Sequence, residues 1–303
     1  MDFELTLFDR LEIIKETNKL HDLENKAYIS FSGGKDSVVL HHLVDLALPN
    51  NNIPRVFINT GIEYNDIVNF VKSMAENDDR FVIIQPKRNI KDILEKYGYP
   101  FKSKQHSHNL GIYWRNKDKD EYTLSIKRYL GVIKSTTQFK CPDVLKYQFT
   151  KDFNIYCTEN CCLKLKKEPI KKWEKEHNRT IAITGMRKAE GGQRASLKGC
   201  VITDQNKNVV KFHPLLVVDD EWEDEFIKQN NIKLCKLYYP PFNFKRTGCK
   251  GCPFSLDLQE QLETMQKYLP AERKQCELIW KPIYEEYRRI NYRLDKIEKV
   301  KLF

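Results

Sequence analysis

Six consecutive residues near the N-terminus have side chains suited to holding a phosphate group. Residues 32–37 read Ser-Gly-Gly-Lys-Asp-Ser. Gly33 and Gly34 let the backbone adopt conformations that other residues avoid, and they let a ligand approach closely. Lys35 adds an ammonium group, and the two serines add hydroxyl donors. We therefore predict a phosphate-binding turn other than the Walker loop, because GxxxxGK[ST] is absent. An ordinary glycine-rich turn is the alternative.

Four cysteines form a second group with the composition of a metal site. Cys161 and Cys162 are adjacent, and Cys249 and Cys252 form a CxxC turn in which Gly251 favours a tight bend. Adjacent cysteines cannot easily bind one mononuclear ion together, but each can bind a different iron of a cubane. The spacing therefore favours a [4Fe–4S] cluster, although four thiolates also suit zinc. Four unrelated buried thiols are the remaining alternative.

Other cysteines compete for the same role. The chain has nine cysteines, of which Cys157 and Cys200 are rival ligands. Disulfides are rare in the cytosol, and nothing near the N-terminus has the pattern of a secretion signal. Metal binding or redox chemistry is therefore the better interpretation of so many cysteines.

A pair of arginines follows a short apolar run in the second half of the chain. Thr184-Gly185-Met186-Arg187 is followed by Glu190 and Arg194. Two guanidinium groups can bind the oxygens of phosphate or sulfate bidentately, and Glu190 could orient one of them. A structural cluster of salt bridges is the alternative.

The elements that must position these residues alternate between strands and helices. A strand containing Ser30 leads into the glycine turn, and a helix with apolar positions from Val38 to Leu46 follows it. Such alternation predicts an α/β fold with a mostly parallel, twisted sheet and helices on both faces. Further strands are predicted at 55–59, 81–84, 180–184 and 209–212, and helices at 2–20, 66–76, 90–97, 161–177 and 219–229.

Composition predicts a protein of the cytoplasm with an anionic partner. The 303 residues carry a formal net charge of +10, which favours a nucleotide, a nucleic acid or both as the partner. Lysine-rich solubility is the alternative. No apolar run is long enough for a membrane span, and the acidic N-terminus lacks a signal-peptide core.

The motifs, taken together, resemble those of the PAPS (phosphoadenosine phosphosulfate) reductase-like family of adenine-nucleotide alpha-hydrolases. The hexapeptide at 32–37 looks like the pyrophosphate-binding loop of that group, which includes ATP pyrophosphatases and PAPS reductases. The CC…CxxC pattern, with Pro169 seven residues after Cys162, is similar to the cluster pattern of assimilatory adenosine phosphosulfate reductases. Other segments that resemble family motifs are Arg246–Cys252, Thr184–Arg194, Asn59-Thr60-Gly61, Lys198-Gly199-Cys200 and His213-Pro214-Leu215.

The resemblance implies a Rossmann-like fold and a division of the chain into segments. The N-terminal helix takes up residues 1–24, and a nucleotide-binding domain takes up residues 25–232. An insertion at about 101–150, partly helical, carries two histidines that we interpret as exposed loop residues, His106 and His108. Residues 233–303 are predicted to form a cluster-binding loop followed by one or two polar helices.

The resemblance also implies site residues. Nucleotide contacts are expected from the loop and from the residues that follow later strands; these are Ser30, Ser32, Gly33, Gly34, Lys35, Asp36, Ser37, Thr60, Gly61, Gly185, Arg187 and Glu190. In the family, the segment around Cys200 suggests a sulfur-handling thiol. Catalytic roles are expected for Lys35, Asp36, Arg187, Arg194 and Cys200, and metal ligation for Cys161, Cys162, Cys249 and Cys252.

Three functions are compatible with these motifs. In the first, ATP with Mg²⁺ is cleaved between its α- and β-phosphates, and an iron–sulfur-dependent sulfur transfer modifies DNA or tRNA, with a sulfur-donor protein as a further candidate partner. In the second, adenosine phosphosulfate or PAPS is reduced with release of sulfite. The family's C-terminal Glu-Cys-Gly-Leu-His has no counterpart in residues 297–303, so Cys200, Cys157 or Cys276 would have to act instead. In the third, a partner subunit binds nucleotide without turnover.

Overall fold

A computed structural model describes residues 2–119, 121–134 and 140–296, apart from the side chain of Gln193. These residues form two compact units. The first, which we call the sheet unit, draws its residues from Met1–Asn59, Glu63–Gln85 and Pro169–Gly248. The second, which we call the thiol unit, draws its residues from Thr60–Ile62, Pro86–Glu168 and Cys249–Phe303.

This division differs from the predicted segments. It joins the insertion at about 101–150 to the C-terminal residues rather than to the nucleotide-binding domain. The predicted domain boundaries at residues 24 and 232 remain a prediction.

The sheet unit is built on six strands in the order β3-β2-β1-β4-β6-β5. Every neighbouring pair is parallel except β5 with β6, which is antiparallel. The α/β fold with a mostly parallel sheet is therefore confirmed. The strands are β1 (Ala27–Phe31), β2 (Arg55–Ile58), β3 (Phe81–Ile84), β4 (Ile181–Ile183), β5 (Val201–Thr203) and β6 (Val209–Phe212).

Thirteen α-helices lie in the described residues. They are α1 (Phe3–His21), α2 (Leu23–Lys26), α3 (Lys35–Ala47), α4 (Asn65–Ala75), α5 (Ile90–Tyr97), α6 (Lys104–Arg115), α7 (Leu124–Leu130), α8 (Asn160–Cys162), α9 (Glu168–Glu176), α10 (Asp220–Gln229), α11 (Leu258–Tyr268), α12 (Pro270–Ile279) and α13 (Lys281–Arg289). None of them combines the length and apolar character that crossing a bilayer requires.

The order of the strands creates the place where a ligand can bind. The chain runs outward from β1 through β2 to β3, and then returns to the other side of β1 with β4. Ile29 in β1 pairs with Arg55 in β2 and with Ile183 in β4. At such a reversal the connections leave the carboxyl ends of β1 and β4 in opposite directions, and open α/β sheets bind ligands in the crevice between them.

The core explains why β1 is an almost continuous apolar run. Ile29 is fully inaccessible, and Tyr28 and Phe31 are almost so. A parallel strand covered on both faces needs apolar side chains on both, so its sequence does not alternate. Tyr28 packs edge-on against Trp173 at 5.4 Å between ring centroids, and its hydroxyl donates to Glu174 at 2.7 Å.

Most predicted elements of the sheet unit are confirmed, with one strand missed. The strands near residues 29, 56, 82, 182 and 211 are present, as are the helices on either side of them. β5 was not predicted, because its three residues are too few to show a period.

The C-terminal prediction of one or two polar helices was wrong, because three helices are present. Pro270 and Pro282 lie in the first turns of α12 and α13. Proline is tolerated there, since the first-turn amides have no partner within the helix, whereas it would interrupt a helix that continued through it.

The interpretation of two exposed loop histidines was also wrong. Both residues lie on α6, and His106 is fully buried. Its ring nitrogens contact the Tyr129 hydroxyl at 2.8 Å and Gln148 Oε1 at 2.7 Å. His108 is half-exposed and contacts Glu159 at 2.6 Å. Burial lowers the pKa of His106 to about 4, so this residue is a neutral core histidine.

Candidate functional site

The glycine turn begins directly after β1 and ends on the first residue of α3. Gly33 has a φ of +72°, and a β-carbon there would lie 2.9 Å from methyl groups of Ile67 and Val71. Both the backbone conformation and the close approach of α4 therefore require glycine. Gly34 is the N-cap residue of α3, so the first amides of that helix border the turn.

The serines of the turn hold its shape. The Ser37 hydroxyl donates to the carbonyl of Gly34 at 2.8 Å and accepts from the amide of Ser32 at 3.2 Å. The Ser32 hydroxyl lies 3.1 Å from that of Ser37. Ser30, still within β1, has an exposed side chain. The hydroxyls of Ser32 and Ser37 thus fix the loop, and their contact with phosphate remains a prediction.

Lys35 is held by two carboxylates of α10. Its Nζ lies 3.1 Å from Glu223 Oε2 and 3.1 Å from Asp224 Oδ1. Burial by itself lowers the pKa of Lys35, but the two carboxylates outweigh burial, and the net effect is a raised pKa. Lys35 is therefore a fixed positive charge at the start of α3.

Arg187 joins three parts of the sheet unit. It follows β4, and its Nε donates to Asp36 Oδ1 at 2.7 Å. Its Nη2 lies 2.7 Å from Asp220 Oδ1 and 3.2 Å from Glu223 Oε2. The side chain is nearly inaccessible, and Nη1 has no hydrogen-bond partner among the residues that the structure describes. The predicted contact of this guanidinium with a nucleotide remains a prediction.

Gly185 allows the loop after β4 to reach the glycine turn. A β-carbon at Gly185 would lie 2.7 Å from the carbonyl oxygen of Asp36 and 2.9 Å from its carbonyl carbon. Real β-carbons do not approach backbone atoms so closely, and the backbone cannot move aside as a flexible side chain can. Glycine at this position therefore sets the distance at which Arg187 meets Asp36.

The acidic face of α10 is the part of this site that the sequence-based prediction missed. Asp220, Glu223 and Asp224 stand at i, i+3 and i+4, so they lie on one face of the helix. The helix itself was predicted at 219–229, but no role was given to its carboxylates. Three acidic residues at that spacing in a strongly basic chain were the available signal.

Arg194 belongs to a neighbouring ion-pair group centred on Glu190. Glu190 contacts Nη1 of Arg194 and lies 3.2 Å from Nη2 of Arg246, and its Oε2 accepts from the amide of Arg187 at 3.2 Å. Burial and the charge of Arg246 lower the pKa of Arg194. The predicted pair of arginines therefore rests on two different sets of carboxylates, and a shared contact with one phosphate remains a prediction.

Tyr238 ties the segment before the CxxC turn to the glycine turn. Its hydroxyl accepts from the amide of Lys35 at 3.1 Å and shares a 2.7 Å hydrogen bond with Thr247 Oγ1. Burial raises the pKa of Tyr238, so the hydroxyl stays protonated. Sequence reasoning missed this residue, because a tyrosine in a loop gives no spacing signal.

In the thiol unit, the C-terminal helices hold the CxxC turn by its carbonyl groups. Trp280 Nε1 donates to the carbonyl of Lys250 at 3.1 Å, the Tyr284 hydroxyl donates to that of Gly251, and the Tyr287 hydroxyl donates to that of Pro253 at 2.8 Å. All three rings are buried. The turn that carries Cys249 and Cys252 is therefore anchored by two tyrosines of α13 and by Trp280, the residue between α12 and α13.

The other two cysteines open a helical run that contains a π-helix. Cys161 and Cys162 lie in α8, and Leu163–Lys167 continue as a π-helix before α9. Pro169 stands within this run, and its missing amide and bulky ring disturb regular α-helical hydrogen bonding. A π-helical turn just before the proline lets the chain continue without a break.

Cys161 lies within electrostatic range of the other three thiols. The Sγ atoms of Cys161 and Cys162 are 4.0 Å apart. The hydrogen bond with Cys162 and burial raise the pKa of Cys161, and the charges of Cys252 and Cys249 add to the rise. Burial raises the pKa of Cys252, with smaller contributions from Cys249 and Cys162. The structure thus brings the two predicted pairs together in one unit.

Three lysines surround the less buried member of the adjacent pair. The hydrogen bond with Cys161 lowers the pKa of Cys162, burial opposes this, and the charges of Lys104, Lys166 and Lys167 lower it further. Thiolates bind metals, and such surroundings favour the thiolate. No group of three or more His, Cys, Asp or Glu residues in the described part of the chain is arranged to hold a metal ion. Four thiols suit an iron–sulfur cluster by their donor chemistry, and ligation of a cluster by these four remains a prediction.

Of the rival thiols, Cys200 lies in the sheet unit and Cys157 in the thiol unit. The Cys200 sulfur accepts from Arg10 Nη1 at 3.4 Å. Cys157 is fully buried, and burial raises its pKa well above the usual range.

Thr60 and Gly61 follow β2 and belong to the thiol unit. Thr60 is buried, and Gly61 has a φ of +82° with open space around its α-carbon. Their predicted contact with a nucleotide remains a prediction.

We expect Gly185→Ala to lower the free energy of unfolding by about 1–3 kcal/mol, because the added methyl group is forced against the backbone of Asp36. Urea unfolding measures this loss. Gly199→Ala is the matched control, since Gly199 has open space around it, and we expect a change within about 0.5 kcal/mol. Equal losses in the two variants would contradict the close packing described above.

Comparison with known proteins identifies a relative of this chain. The chain is 26% identical over 281 residues to an uncharacterised protein, MJ0973, of Methanocaldococcus jannaschii. The match covers 91% of this chain but 53% of the relative, so the chain spans about half the length of that relative.

Solved structures resemble the chain more distantly. A PAPS reductase from Candida auris in a phosphate complex is 14% identical, with a TM-score of 0.46, and the match covers 78% of this chain and 87% of that one. The U34-tRNA thiolase NcsA from Methanococcus maripaludis, with its [4Fe–4S] cluster, is also 14% identical, with a TM-score of 0.38 and coverage of 95% and 80%.

A family model gives the firmest assignment. The model of the phosphoadenosine phosphosulfate reductase domain matches residues 26–110 and 112–255, which is well over half of the chain. The matched residues include the glycine turn, the loop with Arg187, and the four cysteines Cys161, Cys162, Cys249 and Cys252. The chain therefore belongs to the phosphoadenosine phosphosulfate reductase domain family.

Proposed function

We propose that the protein binds ATP at the glycine turn, releases pyrophosphate by adenylating an acceptor, and couples this step to sulfur transfer onto a nucleic acid. The observation that carries the proposal is the meeting of Lys35 and Arg187 at one carboxylate, Glu223, beside the first turn of α3. A turn at the start of a helix, with two fixed cations beside it, is suited to a pyrophosphate leaving group.

The adenylation step needs positioning and charge rather than a covalent enzyme intermediate. An oxygen of the acceptor forms a bond to the α-phosphorus, and the bond from that phosphorus to the oxygen bridging to the β-phosphate breaks. The electron pair leaves with pyrophosphate. Lys35 and Arg187 offset the charge that develops there, and Asp36, whose carboxylate is one-third exposed, is our proposed contact for Mg²⁺.

The sulfur step follows on the same acceptor. A sulfide sulfur forms a bond to the carbon that carries the adenylated oxygen, and the carbon–oxygen bond breaks to release AMP, so no net oxidation occurs. Cys161, Cys162, Cys249 and Cys252 would hold a [4Fe–4S] cluster, which supplies a site for binding and delivering sulfur. The net charge of +10 supports DNA or tRNA as the acceptor.

We expect the protein, purified without oxygen, to release pyrophosphate from ATP and no sulfite from adenosine phosphosulfate or PAPS. Lys35→Ala should lower the rate of pyrophosphate release about 100-fold, because it removes one charge that stabilises the leaving group. Lys228→Ala on α10 is the matched control, since it removes a lysine that is 81% exposed. Binding of ATP without turnover would favour the non-catalytic partner subunit and contradict the proposal.

The metal content of the protein tests whether Cys161, Cys162, Cys249 and Cys252 hold an iron–sulfur cluster. We expect Cys252→Ser to lose most of the iron and the visible absorbance of the anaerobically purified protein, because serine is a poor ligand for iron–sulfur clusters. Cys141→Ser, another buried cysteine of the thiol unit, should keep both. Zinc in place of iron in the wild-type protein, or iron loss from Cys157→Ser but not from Cys252→Ser, would contradict the assignment.

A second candidate function rests on Cys200. The guanidinium of Arg10 lies 3.4 Å from its sulfur, so this thiol has a cationic neighbour. In a sulfonucleotide reductase, the sulfur of Cys200 would bond to the sulfate sulfur and displace the nucleotide phosphate, and a dithiol reductant would then release sulfite. Sulfite release that is lost in Cys200→Ser, with no pyrophosphate from ATP, would favour this function over the first.

A further inference from the structure

Glu223 is a buried carboxylate between two cations. Its side chain is fully inaccessible, although it lies on a helix whose other acidic residues are exposed or half-buried. Oε2 lies 3.1 Å from Lys35 Nζ and 3.2 Å from Arg187 Nη2. Oε1 has no hydrogen-bond partner among the described residues. A buried carboxylate is costly unless it is paired, so these two cations stabilise its charge.

The charges around the two cations do not favour an anionic ligand. Lys35 and Arg187 contact four carboxylates, those of Asp36, Asp220, Glu223 and Asp224. A phosphate at these two cations would therefore compete with carboxylates for them, although Arg194 and Arg246 add positive charge near Asp36 and Asp220. We expect at least one carboxylate to lose its charge or its place when phosphate binds there.

Exposure identifies which carboxylate this is. The side chains of Asp220 and Asp224 are 73% and 69% exposed, so water can replace their cation partners at little cost. Asp36 is partly exposed as well. Glu223 has no access to water, so losing Lys35 and Arg187 to a phosphate would leave its charge buried and uncompensated.

We propose that Glu223 is a positioning residue that holds Lys35 and Arg187 in place in the free protein. When a nucleotide phosphate binds these two cations in its stead, Glu223 takes up a proton. This inference rests on the proposed binding of ATP at the glycine turn. It adds that binding of the nucleotide is linked to protonation of the Glu223 carboxylate.

The ionisation of Glu223 in the free protein fits this exchange. Burial raises the pKa of Glu223 to about 7, the charge of Asp36 adds to the rise, and Arg187 and Lys35 oppose it. Asp220 and Asp224 on its own helix, and Arg194 and Arg246 from other elements, are further charged groups near these contacts. A phosphate that draws Lys35 and Arg187 away from Glu223 removes the two cations that oppose the rise, so we expect its binding to raise this pKa further. Above about pH 7, binding then requires uptake of a proton, and affinity falls as pH rises.

The test is ATP affinity measured by calorimetry across pH. For the wild-type protein, we expect the dissociation constant to rise up to about tenfold per pH unit above about pH 7, with uptake of about one proton near pH 8. Glu223→Gln keeps the shape of the side chain but cannot titrate. We expect it to lack this additional slope, to take up no extra proton, and to bind ATP more tightly than wild type at about pH 8.5.

The controls separate linkage from folding and from the ligand. The ionisation of ATP itself is common to all variants and cancels in their comparison. Asp224→Asn removes a carboxylate at the same 3.1 Å from Lys35 Nζ, but an exposed one, and should keep the wild-type slope. Glu223→Asp retains a titratable carboxylate and should also keep a slope, which covers the case in which Glu223→Gln fails to fold in thermal unfolding.

The outcomes distinguish the two proposals. If ATP binds and Glu223→Gln has the wild-type slope and proton uptake, the role of Glu223 is wrong while nucleotide binding stands. If Asp224→Asn alone loses the slope, the exchange belongs to the exposed carboxylate and this inference is overturned. If wild-type protein binds no ATP at any pH, both the proposed function and this inference fail.

Discussion

The contact between Arg187 and Asp36 is the interaction on which the organisation of the sheet unit's site depends. These residues are 151 positions apart in sequence, and they meet because β1 and β4 are neighbours in the sheet. Asp36 follows the carboxyl end of β1, and Arg187 follows the carboxyl end of β4. Gly185 lets the backbones of the two loops come into contact. The same guanidinium then reaches the acidic face of α10. A single side chain thus joins the first half of the sheet, the second half, and the helix that follows it.

The sequence predicted the parts of this arrangement that depend on local chemistry. The glycine turn, its strand and its helix were all predictable, because apolar runs, glycines and a helix start lie within a few residues. The adjacent cysteines and the cysteines of the CxxC turn could be grouped from the sequence, because so many cysteines have few roles other than metal binding and redox chemistry. The family assignment followed from the order of these motifs, and the family model supports it over residues 26–110 and 112–255.

What could not be predicted depends on pairing across the fold. Nothing in the sequence around Glu223 indicates that this carboxylate is buried while Asp220 and Asp224 on the same face are exposed, because that difference arises from packing. The same holds for His106, whose neighbours Tyr129 and Gln148 come from distant segments. The number of C-terminal helices was a different failure: Pro270 and Pro282 were visible in the sequence, and their meaning as helix starts was missed.

The three aromatic side chains that hydrogen-bond to the backbone near the CxxC turn bear on how this region can vary in sequence. Trp280, Tyr284 and Tyr287 donate to carbonyl groups, which every residue possesses, so these hydrogen bonds do not themselves select the side chains of the turn. Packing does so instead, because Gly251 has a φ of +60°, a β-carbon there would lie 2.8 Å from the Cys276 sulfur, and the Lys250 side chain is buried. A chain shortened before Trp280 would keep every cysteine of the turn, yet the scaffold that sets their spacing would be gone.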